Sequence, residues 1–508
     1  MRKIVSAALG VLATIVGMAT GHLVASLLNP AASPVLAVGS TVIDLTPTPV
    51  KEWAVAQFGT ADKPILVGSV LLGTLVLAGV AGILARRRFE VGAGLLIVLV
   101  ALAGAAALSR PTATVVDALP ALAAAVVGVG ALAWLLRSRP AAGRGAHSGD
   151  RAPGDKGSAS SASRRTVLVL GAAAAVMGVA GQWITTVRTR ISDVVIPDPA
   201  QKAASFPQGL EAEYDGITPL RTANADFYRV DTRLTVPTVG VDDWTLTIDG
   251  DVDKELSFTF DELAAMSLVE RDITLTCVSN EVGGQYVGGA RWTGVLLTDL
   301  LAMAGVGSKA DQILSTDVDG MTISTPLEVA TDGRDTMVAI AMNGEPLPRE
   351  HGFPARLVTP GIYGFVGATK WLTKLTLTTY AEQSAYWTDR DWATDAPIKI
   401  SSRVDTPKPL STIDAGKTVI GGVAWAQTRG IAKVEVRIDG GDWQEAKLGP
   451  EVSVDYWRQW YLPWDATSGR HDLAVRATDQ DGEVQTAERA SPFPEGSSGV
   501  QEVAVLVT

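Results

Sequence analysis

Cys277, in the stretch Thr274-Leu275-Thr276-Cys277-Val278-Ser279-Asn280, is the only cysteine among 508 residues. One thiol cannot close an intrachain disulfide, and in oxidising surroundings an idle exposed thiol is a liability. It is therefore either buried and inert or occupied as a ligand; a thiol peroxidase or redox sensor would need a resolving cysteine that the chain lacks. Histidine is nearly as sparse, with four in the chain, and His351 stands five residues before Arg356 in the run "REHGFPARLV". A guanidinium offers forked donors that suit a phosphate, although a cation in a Pro/Gly-rich loop is equally at home as a solvated or structural group.

The elements that must position these residues divide the chain in two. A surplus of about eight positive charges on Met1–Arg165 and an excess of about nineteen negative charges on the remainder make up the net charge of −11. The acidic half has no Lys/Arg run, which argues against nucleic acid as a partner. In the first half, Ile4–Leu28, Pro64–Ala85, Val91–Leu108, Leu119–Leu136 and Thr166–Val187 are apolar and each about long enough to cross a hydrocarbon core of roughly 30 Å. Five spans place Arg2 and Lys3, Arg86-Arg87-Arg88, and the Arg137–Arg165 stretch on one side. The expectation is a multi-pass cell-membrane protein with a cytoplasmic N-terminus and everything after Val187 outside.

Ala141–Ser163, rich in Gly, Ser and Ala, reads as a cytoplasmic linker. It runs into "SRRTVLVLGAAAA", which resembles an internal twin-arginine export signal; positive-inside anchoring of the fifth span is the other reading, and both stay open. The single His22 in a span and His147 in the linker leave no bis-His haem site in the apolar half, and one Cys cannot hold an iron–sulfur cluster.

The second half reads as α+β from Asp226 to Thr379. Trp244, Leu246 and Ile248 alternate before an Asp-Gly turn, while "FDELAAM" and "WTGVLLTDLLAMAGV" supply helix. From Ile398 onward helical pattern vanishes. Val434, Val436 and Ile438 share one strand face ahead of Gly440-Gly441, a second strand precedes Asp481-Gly482, and the regular spacing predicts an immunoglobulin-like sandwich.

Five blocks in order resemble the sulfite oxidase family of molybdopterin enzymes: "NADFYRVDTRLTVP", "TLTCVSNEVGG", "RWTGVLLTDLL", "REHGFPARLVTPGIYGFVGATKWL" and "GGVAWAQTRGIAKVEVRIDGGDWQEAKL". The resemblance covers Thr218 to Thr508 and not the five spans. It implies that Cys277 is the protein ligand to molybdenum, beside the two dithiolene sulfurs of one molybdopterin and oxygen species, a role that suits a soft thiolate. It implies cofactor contacts at Asn224, Tyr228, Arg229, Asp317, His351, Arg356, Ala368, Thr369 and Lys370. The catalytic candidates are Cys277, Arg229 and Trp392. The expected organisation is four transmembrane helices in 1–137, the linker with its twin-Arg-like motif in 138–165, a fifth transmembrane helix in 166–187, an α+β sulfite-oxidase-like molybdopterin domain in 188–397 and the all-β sandwich in 398–508, where the family keeps its dimerisation domain and a homodimer would form.

Two positions depart from the family's sulfite-binding pattern. Glu281-Val282-Gly283 replace an arginine a few residues after the ligand Cys, and Trp392 follows Arg390-Asp391 where a tyrosine stands. A carboxylate near the metal disfavours a small dianion, so sulfite is not carried over. The expectation is two-electron oxygen-atom transfer with a small-molecule donor or acceptor, in either direction. Electrons would be exchanged with a separate cytochrome or quinone-linked membrane subunit. The alternative is a non-enzymatic membrane protein that keeps the fold for binding or assembly.

Overall fold

The computed structural model describes residues 2–47, 50, 53–54, 57–58, 61–137, 161–188 and 194–508. It contains two compact units, Met1–Arg190 with Thr232–Thr238, and Ile191–Asp231 with Val239–Thr508. The linker expected over 138–165 falls outside the described residues up to 160.

The first unit is helical: α1 Arg2–Leu27, α2 Pro34–Leu45, α3 Asp62–Ala85, α4 Phe89–Leu108, α5 Leu119–Arg137 and α6 Ser161–Arg188. Five segments, Lys3–Leu27, Lys63–Ala85, Phe89–Leu108, Val115–Arg137 and Thr166–Thr185, are long and apolar enough to cross a membrane. The twelve-residue α2 is apolar but too short to do so, and no pattern in the sequence had singled it out. Its Pro34 is at the first helical position, where a missing N–H costs nothing. Helix α6 starts at Ser161, inside the stretch expected to be linker. Small residues let α1 approach its neighbours. A Cβ on Gly10 would lie 2.2 Å from the Ala78 carbonyl of α3, and one on Gly17 would lie 2.6 Å from the Ala124 carbonyl of α5. Past the end of α1, Asn29 Nδ2 donates to Asp117 (2.9 Å), whose other oxygen accepts from the Thr114 N–H (2.8 Å), so a buried carboxylate ties two loops together.

The second unit begins with an antiparallel sheet, β3 Val269–Thr276, β4 Val287–Leu296, β7 Met337–Met342 and β8 Glu345–Pro346, with β9 Arg356–Val358 also on β7. A second sheet takes the order β2 Leu256–Thr259, β1 Thr245–Gly250, β10 Leu372–Thr378, β5 Gln312–Asp317, β6 Thr322–Pro326, with β1 and β10 parallel. Leu246, Ile248, Leu263, Leu300, Leu357 and Leu375 share one core between them. "FDELA" forms α7 Phe260–Ala264, opened by a capping box in which Thr259 and Glu262 satisfy each other's backbone N–H groups. The long run around Trp292 splits. Trp292–Leu296 lies in β4, and only Leu297–Ala304 is helix, α8, because residues before Leu297 pair with β3 and β7.

Beyond Ile398 two further sheets stack on a common core that includes Val434, Val436, Trp460, Leu473 and Val475. One has β11 Ser401–Thr406, β13 Gly416–Trp425, β17 Arg458–Ala466 and β16 Lys447–Leu448; the other has β12 Thr412–Ile413, β19 Gln501–Val507, β18 Gly469–Asp479, β14 Ile431–Ile438 and β15 Gln444–Glu445.

Candidate active site

Strand ends bring the chemistry-bearing residues together. Cys277 directly follows β3, Arg356 opens β9, Lys370 lies two residues before β10, and Asn224–Asp231 crosses as irregular chain ahead of β1. The Cys277 turn is fixed by its own backbone: the Cys277 N–H donates to the Tyr286 carbonyl (2.9 Å), and the Asn280 N–H donates to the Cys277 carbonyl (3.0 Å). Asn280 Oδ1 then accepts from the Tyr286 N–H at 2.8 Å. The thiol is half-buried. Burial pushes its pKa up, whereas the Ser279 N–H, the Ser279 hydroxyl and the Lys370 ammonium pull it down. The balance favours the thiol in the cofactor-free protein.

Around it lies a cluster of cations held by few anions. Lys370 Nζ donates to Asp231 (2.7 Å) and to the Glu350 carbonyl (3.1 Å), and burial lowers its pKa to about 8 against the pull of Asp231. Arg229 reaches the same carboxylate at 2.8 Å while its side chain stays one-third exposed. Arg356 is buried over the Trp292 ring, 5.0 Å from its centroid, and donates to the His351 carbonyl at 3.1 Å. Burial lowers its pKa to about 10, which leaves it charged. His351 is buried and its Nε2 donates to the Asn224 carbonyl at 3.0 Å, edge-on to Phe227. Burial, helped by Arg356 and Lys370, lowers its pKa to about 4, so the ring is neutral. Tyr228 stacks on Phe227; burial raises its pKa far above the ordinary range, and the neighbouring Cys277 adds to the rise.

The backbone near Lys370 is constrained. Trp371 has φ +53°, unusual for a bulky residue, and its indole donates to the Arg349 carbonyl at 2.8 Å. Gly352, at φ +113°, packs so closely that a Cβ would lie 3.1 Å from the Lys370 Cα.

The remaining candidates have distinct surroundings. The Ala368 carbonyl accepts from Arg356 at 3.4 Å, and Thr369 is buried with its hydroxyl 2.5 Å from that of Ser315. Asn224 is braced by Asn343, whose Nδ2 donates to it at 2.8 Å. Asp317 pairs with Leu372 across β5 and β10, and its Oδ1 accepts from the Asp319 and Met321 N–H groups, a turn-building role. Trp392 is buried among Phe365, Trp387 and Phe493, and its Nε1 has no hydrogen-bond partner among the described residues. Glu281 is exposed.

Ser279, Asp231 and Tyr363 were not singled out from the sequence, although all three lie inside the quoted blocks. Tyr363 is buried, with its pKa raised to about 12 by burial and by Cys277 among others. Among the described residues no three His, Cys, Asp or Glu side chains form a metal cage. A metal at Cys277 would need ligands from a second molecule. A sulfur-bearing cofactor with a phosphate fits this donor set: one thiol for the metal, and Arg356, Lys370 and Arg229 as cations for the phosphate.

Residues 233–387 match the oxidoreductase molybdopterin binding domain family. The chain is 30% identical over 301 residues to mitochondrial sulfite oxidase of Rattus norvegicus, covering 50% of this chain and 55% of that one. It is 28% identical over 313 residues to NADH nitrate reductase of Solanum lycopersicum, covering 48% of this chain and 34% of the relative. The chain thus spans about half the length of the sulfite oxidases it matches. The sulfane dehydrogenase SoxCD of Paracoccus pantotrophus aligns with a TM-score of 0.50 at 26% identity, over 58% of this chain and 82% of that one.

Proposed function

The chain belongs to the sulfite oxidase family of molybdopterin oxidoreductases, and from that premise we propose that it is a membrane-anchored enzyme whose exported domain transfers an oxygen atom in a two-electron reaction. The observation that carries the reading is the single Cys277 fixed at the end of β3 by backbone bonds to Tyr286 and Asn280, in the same unit as the Arg229–Asp231–Lys370 cluster and the buried Arg356. A molybdenum held by one pterin supplies two-electron oxygen-atom chemistry when bound.

The chain's own residues do the rest. Cys277 would hold the metal as a thiolate, giving up on binding the proton that burial favours in the free protein. Arg356 and Lys370 neutralise the cofactor phosphate, with His351 a neutral donor or acceptor beside them. Tyr228, kept as a phenol, is available to donate a hydrogen bond to an oxygen in the pocket, and the partly exposed Arg229 orients the incoming substrate. The run Glu281-Val282-Gly283 stands where the resemblance expects an arginine, so sulfite is not carried over as the substrate.

The five apolar helices support a cell-membrane anchor, and the arginines between them support a cytoplasmic N-terminus with the domain outside. The two stacked sheets support an immunoglobulin-like domain able to pair two copies. Electrons pass to or from a separate partner protein or membrane carrier. The test is metal and pterin analysis of the full chain from a host that makes molybdopterin. Stoichiometric molybdenum is expected in the wild type and its loss, with unchanged melting, in Cys277→Ser; a folded wild type with no molybdenum, under conditions that load a related enzyme, overturns the reading.

A further inference from the structure

The strand that ends at Cys277 lies at an edge. Among the strands of its sheet β3 pairs with β4 alone, so its other side carries backbone groups that need partners from elsewhere. Two loops of the C-terminal sheets supply them. In the stretch before β17, the Asp455 carbonyl accepts from the Thr274 N–H (2.9 Å), the Trp457 N–H donates to the Thr274 hydroxyl (2.9 Å) and the Ser453 hydroxyl donates to the Asp272 carbonyl (3.0 Å). In the turn between β13 and β14, Gln427 Nε2 donates to the Thr274 carbonyl at 2.9 Å and reaches the Thr276 hydroxyl at 3.4 Å. Thr274, Thr276, Gln427 and Trp457 are all buried. The last residues before the sulfur are thus gripped from both sides.

Covering an edge strand is ordinary, but this cover carries two costs. Gln427 Oε1 is buried without a hydrogen-bond partner among the described residues, so the side chain makes its amide bonds while leaving its own acceptor unmet. Thr428, the next residue, has φ +69°, in the left-handed region that a β-branched side chain rarely enters. Its N–H donates to Asp455 Oδ1 at 2.9 Å, which joins the two loops into one clasp. An apolar side chain at 427 and a glycine at 428 would cover the edge with neither cost. Local costs of this kind persist where they hold a functional geometry. Here they hold the carbonyl three residues before Cys277.

We propose that Gln427 is a positioning residue: from the turn between β13 and β14 it fixes the end of β3, and with it the direction in which Cys277 presents its sulfur to the metal. The proposal rests on the molybdopterin reading for the metal and on the hydrogen bonds alone for the clasp. The experiment compares Gln427→Met and Gln427→Leu, which remove the amide, with Ser402→Ala, which removes a buried hydroxyl bonded to Gln485 and to the Val475 carbonyl within the C-terminal region. Hydrogen–deuterium exchange is read on the cofactor-free full chain, and the thiolate-to-metal absorption band on the chain from a host that makes molybdopterin. Both Gln427 variants should melt within about 2 °C of the wild type, since the lost donor and the removed acceptor offset each other. Their amides over Thr274–Asn280 should exchange about fivefold faster, the worth of one hydrogen bond, and the band should shift. Ser402→Ala should melt lower, with that exchange and the band unmoved. Wild-type exchange and band in both Gln427 variants, or an equal shift in Ser402→Ala, overturns the proposal. Faster exchange in the Gln427 variants of a chain that takes up no molybdenum overturns the molybdopterin reading and supports the clasp; molybdenum uptake with unmoved exchange and band does the reverse.

Discussion

His351 is held neutral by its burial, and this has a measurable consequence. In the cofactor-free protein its pKa falls from 6.5 to about 4 on folding, so between those values the unfolded chain binds a proton that the folded chain refuses. Stability from this group is complete above pH 6.5 and is lost as pH falls toward 4, by on the order of 3 kcal/mol. Urea unfolding at pH 7.5 and pH 4.5 should show that loss, and His351→Gln should flatten it. Trp392 makes a different demand. Its buried Nε1 has no partner, so Trp392→Phe removes an unsatisfied donor and should leave the melting temperature nearly unchanged. At this scale the sequence was legible where a residue was rare: the single Cys and a histidine among four could be noticed at once. Ser279 was not noticed, because its residue type does not set it apart from the other serines of the chain. Asp231 was not noticed either, because its partner Lys370 is 139 residues away.

Among elements, the long apolar helices were legible as helices, because twenty such residues in a row leave few alternatives. The twelve-residue α2 was not, since its length suits a buried segment of many kinds. The strand-to-helix change at Leu297 was hidden for a related reason: an apolar run fits either period, and pairing with β3 and β7 decides. Glycine tells the helices apart. A Cβ on Gly82 of α3 would sit 2.2 Å from the Ser6 carbonyl of α1, whereas one on Gly94 of α4 meets nothing within 4 Å. Gly82→Ala should therefore destabilise the solubilised helical unit by about 1–3 kcal/mol through overpacking. Gly94→Ala should stabilise it by about 0.5–1 kcal/mol, since the helix gains propensity at no steric cost. Thermal unfolding of the two variants, side by side, checks the opposite signs.

For the whole molecule, the unequal division of charge bears on how the acidic domain reaches its place. Arg164→Lys with Arg165→Lys keeps the positive charge at the start of α6. If a twin-arginine pair is read during export, the domain should stay protected from protease added outside the cell, whereas simple anchoring leaves it cleavable. Asp231 bears on how the protein must be handled once purified. One buried carboxylate serves both Arg229 and Lys370, with Arg356 close by, so the pocket without its cofactor holds more positive charge than it can neutralise. Such a pocket recruits whatever multivalent anion the solution offers, and an anion that binds only the folded form stabilises it. Buffer identity thus becomes a variable of the cofactor-free protein. It should melt several degrees higher in phosphate than in chloride at equal ionic strength and pH, Lys370→Met should shrink the gap, and reconstitution with cofactor should be slower in the phosphate that protects it.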